Sequence, residues 1–223
     1  MVACCGLAEA ALEVDFVTNR GTITATMEYQ KAPKAVANLI GLATASRSYV
    51  DPVSGAVLRS RFFDGAGFFQ VVNTASVKTI ETGSPTDIEG AGPGYSFPDE
   101  FDASLTHVPY VLSMSNTGPN TNGSSFSFTG NTTLSSRDGV HTVFGRVTAA
   151  ASRAVIDSIL TAGAGASQVL SVVVRRTDAA ALSFDVAAAG LPDVSAVNSP
   201  LLVRRGVSVS WAGNQPALSV LQA

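Results

Sequence analysis

A chain of 223 residues that is 46% hydrophobic and 14% charged can bury one sizeable core and is too apolar for wholesale disorder. Its net charge of −3, with no basic cluster beyond Arg175-Arg176 and Arg204-Arg205, argues against nucleic acid as a partner, since phosphate binding needs a basic stripe. The two cysteines, Cys4 and Cys5, are adjacent and supply neither a disulfide framework nor spaced thiolates for zinc, and no run approaches the roughly 18 apolar residues of a membrane-spanning helix.

Residues 1–12 read as an N-terminal segment. Met1-Val2-Ala3-Cys4 looks like the end of a bacterial lipoprotein signal without its apolar region, a hint of export or cell-surface location beside the plainer reading of a frayed start. From Leu12 to Tyr29 apolar and polar residues alternate on either side of Asn19-Arg20-Gly21, which predicts a β-hairpin. Pro33 stands at a first helical position, and Val36, Leu39, Ile40 and Ala43 follow at helical spacing, so a helix of about three turns should cover one side of the sheet. Residues 44–60 are mixed and turn-rich, with Asp51-Pro52 and Ser54-Gly55 as breakers.

The most aromatic stretch comes next, and Phe68 to Val72 reads as a strand with Phe68 or Phe69 turned into the core. Residues 73–110 read as loop. The glycines at 90, 92 and 94 resemble a phosphate cradle only superficially, because no Gly-Lys-Ser/Thr and no helix pattern follow them. Val111 to Met114 and Thr142 to Val147 read as strands, and the Gly-, Asn-, Ser- and Thr-rich residues between them as a long ordered loop. Ser152 to Leu160 has one apolar face and glycines after it, a second helix, and Val169 to Arg175 reads as a closing strand. Beyond Asp178 the composition becomes Ala-rich, with strands expected at 201–203 and 207–211. This extension is too short for a confident core of its own.

His107 and His141 are the only histidines, so a three-histidine metal site is impossible, and no G-x-S-x-G elbow offers a nucleophile. A lone histidine in a β protein is more often a hydrogen-bonded structural residue, the default for His107.

The order of several motifs resembles the cyclophilin family of peptidyl-prolyl cis-trans isomerases over roughly Glu13 to Thr177. The resemblance rests on the helix Pro33 to Leu42, on Phe62-Phe63-Asp64-Gly65, Thr82-Gly83-Ser84-Pro85 and Phe97-Pro98-Asp99-Glu100-Phe101. Above all it rests on Val111 to Asn116 with Gly118 to Phe126, then Asp138-Gly139-x-His141-Thr142-Val143-Phe144-Gly145-Arg146-Val147. It implies a mainly β fold: a closed eight-stranded antiparallel β-barrel capped by two α-helices at 13–177, with a C-terminal extension at 178–223. The implied activity is rotation about X-Pro bonds in a bound proline-containing peptide or protein, by a monomer and without a cofactor.

Matched position by position, the resemblance puts Gln70 where the family carries its catalytic arginine and Glu81 where it carries a glutamine. Ser125 takes another glutamine position, Ser127 that of a pocket phenylalanine and Ser136 that of a tryptophan, with Arg137 beside it. Ser115-Asn116, Gly90 to Gly92 and His141 keep the family's residues or backbone role. Gln70 and His141 are thus the catalytic candidates, and Glu81, Gly90, Ser115, Asn116, Ser125, Ser127, Ser136 and Arg137 the substrate-binding ones. The implied enzyme is weak, because a neutral amide replaces a cation. The alternative is a non-catalytic peptide-binding module of a larger exported protein.

Overall fold

The computed structural model describes residues 12–84, 86 and 92–195. Gly90, the cysteine pair and the strands expected at 201–203 and 207–211 lie outside these residues.

The chain opens with β1 (Leu12–Thr18) and β2 (Gly21–Met27). Their alternation places Leu12, Val14, Phe16, Ile23, Ala25 and Met27 inside the fold. Gly21 makes the turn at φ +124°, and a Cβ there would lie 2.8 Å from Val155, so both backbone and packing demand glycine. Helix α1 (Pro33–Ala43) starts on a proline and has no cap from Ala32. The carboxylate of Glu100 supplies one from far along the chain, accepting the Lys34 and Ala35 amides at 3.0 Å each. A negative group on the first-turn amides satisfies them and complements the helix dipole.

A short hairpin, β3 (Tyr49–Val50) and β4 (Val57–Leu58), precedes β5 (Gln70–Asn73), β6 (Lys78–Thr82), β7 (Val111–Met114), β8 (Phe126–Thr129) and β9 (Val143–Arg146). Helix α2 (Ala150–Ala162) and β10 (Val169–Arg176) follow. Eight strands form one antiparallel sheet in the order β10-β1-β2-β9-β7-β8-β6-β5. The sheet curls, and the segment that leads into β5 reaches the start of β10. Gly65 donates to the Val169 carbonyl and Val169 to that of Ala66, both at 2.8 Å, while Phe68 donates to Ser167 and Gly165 to Phe68, both at 2.9 Å.

Inside, Phe16, Phe126, Phe128 and Phe144 cluster, with Phe16 and Phe128 edge-to-face at 5.3 Å between centroids. Full burial of each such ring contributes on the order of 1.5–3 kcal/mol. Ile156, Ile159 and Leu160 of α2 close one flank of this core.

Three elements differ from the sequence reading. β6, Lys-Thr-Ile-Glu-Thr, lies within the stretch read as loop, and β8 within the long polar loop. Both carry Ser, Thr or Glu on one face, so neither shows the apolar signature of a strand; pairing with neighbours creates them. The strand expected from Phe68 starts at Gln70 in the sheet ladder, because Gly65 to Phe68 turns its backbone to the start of β10 instead.

Past β10, Asp178 accepts the Ala181 amide at 2.7 Å and caps α3 (Ala179–Ser183). Phe184 then packs on Tyr29 at 5.3 Å, and Arg176 donates to the Phe184 carbonyl at 2.7 Å.

Candidate functional site

Strand register sorts the site from the core. One row across the sheet pairs Val71 with Ile80, Ile80 with Phe128 and Phe128 with Leu112. Ile80, Phe128 and Leu112 are fully buried, so this row faces inward. One residue along, Gln70 pairs with Glu81, Glu81 with Ser127 and Ser127 with Ser113. Successive strand residues point to opposite faces, so this second row stands on the outer face of the barrel. Gln70 at its end is exposed, Glu81 is 9% exposed, and Ser127 and Ser113 share a buried hydroxyl contact of 3.2 Å beneath the loops.

Those loops are fixed by polar ties. Asp99 accepts from the Asn122 side chain at 2.7 Å, the Asn120 amide at 2.7 Å and the Asn116 side chain at 3.1 Å. Asn116 also donates to the Val140 carbonyl at 3.2 Å. Asn38 of α1 donates to the Gly123 carbonyl at 2.8 Å and accepts from the Tyr95 hydroxyl at 2.7 Å. The Ser115 amide donates to the Ser125 carbonyl at 2.9 Å. Gly83, at φ +95°, passes so close to Ser124 that a Cβ would meet its carbonyl oxygen at 2.4 Å, and Ser124 returns a 2.7 Å hydroxyl bond to the Gly83 carbonyl. These ties leave a cavity of about 530 Å³ between the β3–β4 hairpin and the outer row, lined in part by Val50, Glu81, Tyr95, Ser115, Asn116 and Ser125.

A second cluster flanks it. Ser136, exposed, and Arg137, half-buried, belong to a 3-10 turn, Ser135–Arg137, whose last carbonyl accepts the His141 amide at 3.1 Å. Asp138 clamps this turn to the barrel: its Oδ1 accepts the His107 amide at 2.7 Å and contacts His107 Nδ1 at 2.8 Å. Burial lowers the pKa of His107 below its ordinary 6.5, against the pull of Asp138. Burial also lowers that of His141, assisted by the charge of Arg137 and by His107. Burial pushes the Asp138 carboxyl up, but the backbone and ring bonds from His107 outweigh it and leave the pKa below 3.8.

The sequence-derived candidates thus fall into two groups. Gln70, Glu81 and Ser127 share one row, and Glu81 joins Ser115, Asn116 and Ser125 around the cavity. Ser136, Arg137 and His141 occupy the neighbouring turn. Val50, Pro52 and Tyr95 were not singled out from sequence, yet they line the cavity. Only the Asp51-Pro52 and Ser54-Gly55 breakers hinted at the hairpin, and nothing local marks Tyr95. Among the described residues no group of three or more His, Cys, Asp or Glu could hold a metal ion, and no helix is long and apolar enough to cross a membrane.

An outer polar row on a curled eight-stranded sheet, two packed helices and a loop-walled cavity define a barrel with a surface groove. Residues 13–178 match the family model of the cyclophilin type peptidyl-prolyl cis-trans isomerases. The chain belongs to this family. It is 42% identical over 143 residues to peptidyl-prolyl cis-trans isomerase B of Streptomyces anulatus, covering 64% of this chain and 79% of that protein. Over 146 residues it is 41% identical to the probable peptidyl-prolyl cis-trans isomerase A of Mycobacterium leprae, covering 65% and 78%. In fold it is similar to a crystal structure of a cyclophilin type isomerase from Cryptosporidium parvum, with a TM-score of 0.61 at 20% identity, covering 75% of this chain and 99% of that one.

Proposed function

We propose that this chain binds proline-containing peptides along its outer row and cavity, and that it is a slow peptidyl-prolyl isomerase with Gln70 as the polarising donor. Amide resonance sets a barrier of about 18–20 kcal/mol to rotation about the X-Pro bond. A catalyst lowers it by holding the proline ring still and donating a hydrogen bond to the prolyl nitrogen as its lone pair leaves resonance. The carrying observation is the register: Gln70 stands exposed at the end of the row that includes Glu81 and Ser127, beside the cavity.

Two features of that row support a low rate. The Gln70 amide is neutral, whereas a charged donor makes a bond roughly twice as strong. Loss of one transition-state donor raises a barrier by about 3 kcal/mol, on the order of a hundredfold in rate. Ser127 is small and already bonded to Ser113, so it gives a proline ring little apolar surface. His141, Ser115, Asn116, Ser125, Ser136 and Arg137 serve as groove walls in this reading, and Gly90 as a backbone approach.

The test is a protease-coupled assay on an Ala-Pro-Phe peptide, with wild type beside Gln70→Arg. A slow wild type accelerated strongly by arginine supports the reading; a variant no faster than wild type shows that the proline pocket, and not merely its charge, has gone.

A further inference from the structure

His107 is a buried titratable group that peptide binding does not use. Its ring is fully shielded and its backbone tied on both sides: the amide donates to Asp138 at 2.7 Å, and the carbonyl accepts the Leu134 amide at 2.8 Å. Asp138 also meets Nδ1, so the neutral ring carries its proton there and donates it to the carboxylate, leaving a lone pair on Nε2. That Nε2 is buried and has no hydrogen-bond partner.

The ring of His141 lies 6.4 Å away, centroid to centroid and nearly perpendicular. Its Nδ1 is likewise buried without a partner. In its Nε2–H tautomer His141 keeps a lone pair on Nδ1. Two acceptors cannot bond each other. Arg137, the nearby cation, hydrogen-bonds neither nitrogen. A water has two hydrogens to give, and buried waters typically satisfy such groups.

We propose that His107 is a positioning residue for His141: one buried water donates one hydrogen to His107 Nε2 and the other to His141 Nδ1, fixing the His141 ring with its proton on Nε2. The proposal rests on the reading of His141 as a groove residue. The chain Asp138–His107–water–His141 then joins the turn clamp to the groove wall. The charged and titratable groups facing this pair are Asp138, Arg137 and Asp99, besides the two rings themselves. Protonation of either ring replaces an acceptor with a donor, and the water must then turn to accept from that ring.

The test is long-range hydrogen–nitrogen NMR on the full chain labelled with nitrogen-15 histidine, with cross-relaxation to water recorded near both rings. At neutral pH the expected tautomers are Nδ1–H for His107 and Nε2–H for His141, with a long-lived water beside both. In His107→Gln the titration midpoint of His141 should move upward. In Asp138→Ala, which removes the acceptor of a partly exposed side chain, His107 should lose its Nδ1–H preference and shift the His141 nitrogens with it. An Nδ1–H tautomer at His141, or His141 signals unmoved in both variants, would overturn the bridge. The wild-type spectrum needs no substitution, so a variant that fails to fold leaves that measurement intact. A wild type with no isomerase activity but these tautomers would remove the catalytic reading and keep the bridge, and an active wild type with the other tautomer would do the reverse.

Discussion

Two rows of the same strands, one residue apart, have different characters. The inner row of Val71, Ile80, Phe128 and Leu112 carries large apolar side chains, whereas the outer row of Gln70, Glu81, Ser127 and Ser113 is polar throughout. Backbone pairing is shared, so the contrast is one of side chains alone. Packing punishes any change of volume inside, whereas the small and polar side chains of the outer row take no part in the apolar core. The inner row therefore sets the packing of the barrel, and the outer row its chemical face.

The sharpest way to break this contrast is to truncate adjacent residues of β8. Phe128→Ala removes a fully buried ring and should cost about 3–5 kcal/mol, whereas Ser127→Ala loses one weak hydroxyl contact and should cost about 1 kcal/mol or less. Urea unfolding of both variants reads the difference; equal losses would mean that the outer row is packed as tightly as the core.

Next in size is Gln70→Arg. An added cation at the outer row should speed isomerisation on the order of a hundredfold, equivalent to about 3 kcal/mol of barrier. It would also stand across from Glu81, an opposite-charge cross-strand pair that holds the guanidinium near the groove. Assaying Gln70→Arg in a Glu81→Gln background separates the two effects: gain retained without Glu81 belongs to the donor itself.

Glu100 tests whether the groove loops also serve the framework. Glu100→Ala leaves the Lys34 and Ala35 amides without their acceptor and should cost about 1–2 kcal/mol in thermal unfolding. An unchanged melting temperature would show that water replaces the cap without loss.

The smallest effect is the pH dependence of the histidine cluster. Both pKa values are lowered on folding, so the unfolded chain binds more protons below its ordinary 6.5. Stability from these groups is complete above 6.5 and declines as pH falls through the lowered folded values. Asp138 acts in a lower window, beneath 3.8, where its stabilisation is lost as the carboxyl protonates. Denaturant midpoints on either side of 6.5 should show the first decline, and His107→Gln should flatten it.

How much of this was legible in the sequence depends on which row a residue occupies. β1, β2 and β7 carry side-chain patterns that declare strands, and Pro33 with its apolar spacing declares α1. β6 and β8 did not declare themselves, because Thr79, Glu81 and Ser127 give their strands a polar face that reads as loop. Glu81 and Ser127 could be placed only through the family's motif order. Val50 and Tyr95 reach the cavity through contacts made across the fold: Val50 donates to the Pro93 carbonyl at 2.9 Å, and Tyr95 bonds Asn38 and Arg47. No local pattern encodes such contacts. The Glu100 cap is equally non-local, with its acceptor 65 residues from Ala35.

The most direct measurement of the central claim is a chemical-shift titration of the wild-type chain with a short Ala-Pro peptide. Residues Gln70, Glu81, Ser115 and Ser127 should shift along a saturable curve while Ile80 and Phe128, one step away on the inner face, stay nearly still. Saturation that moves the inner row equally, or leaves Gln70 and Ser127 unmoved, would contradict the account.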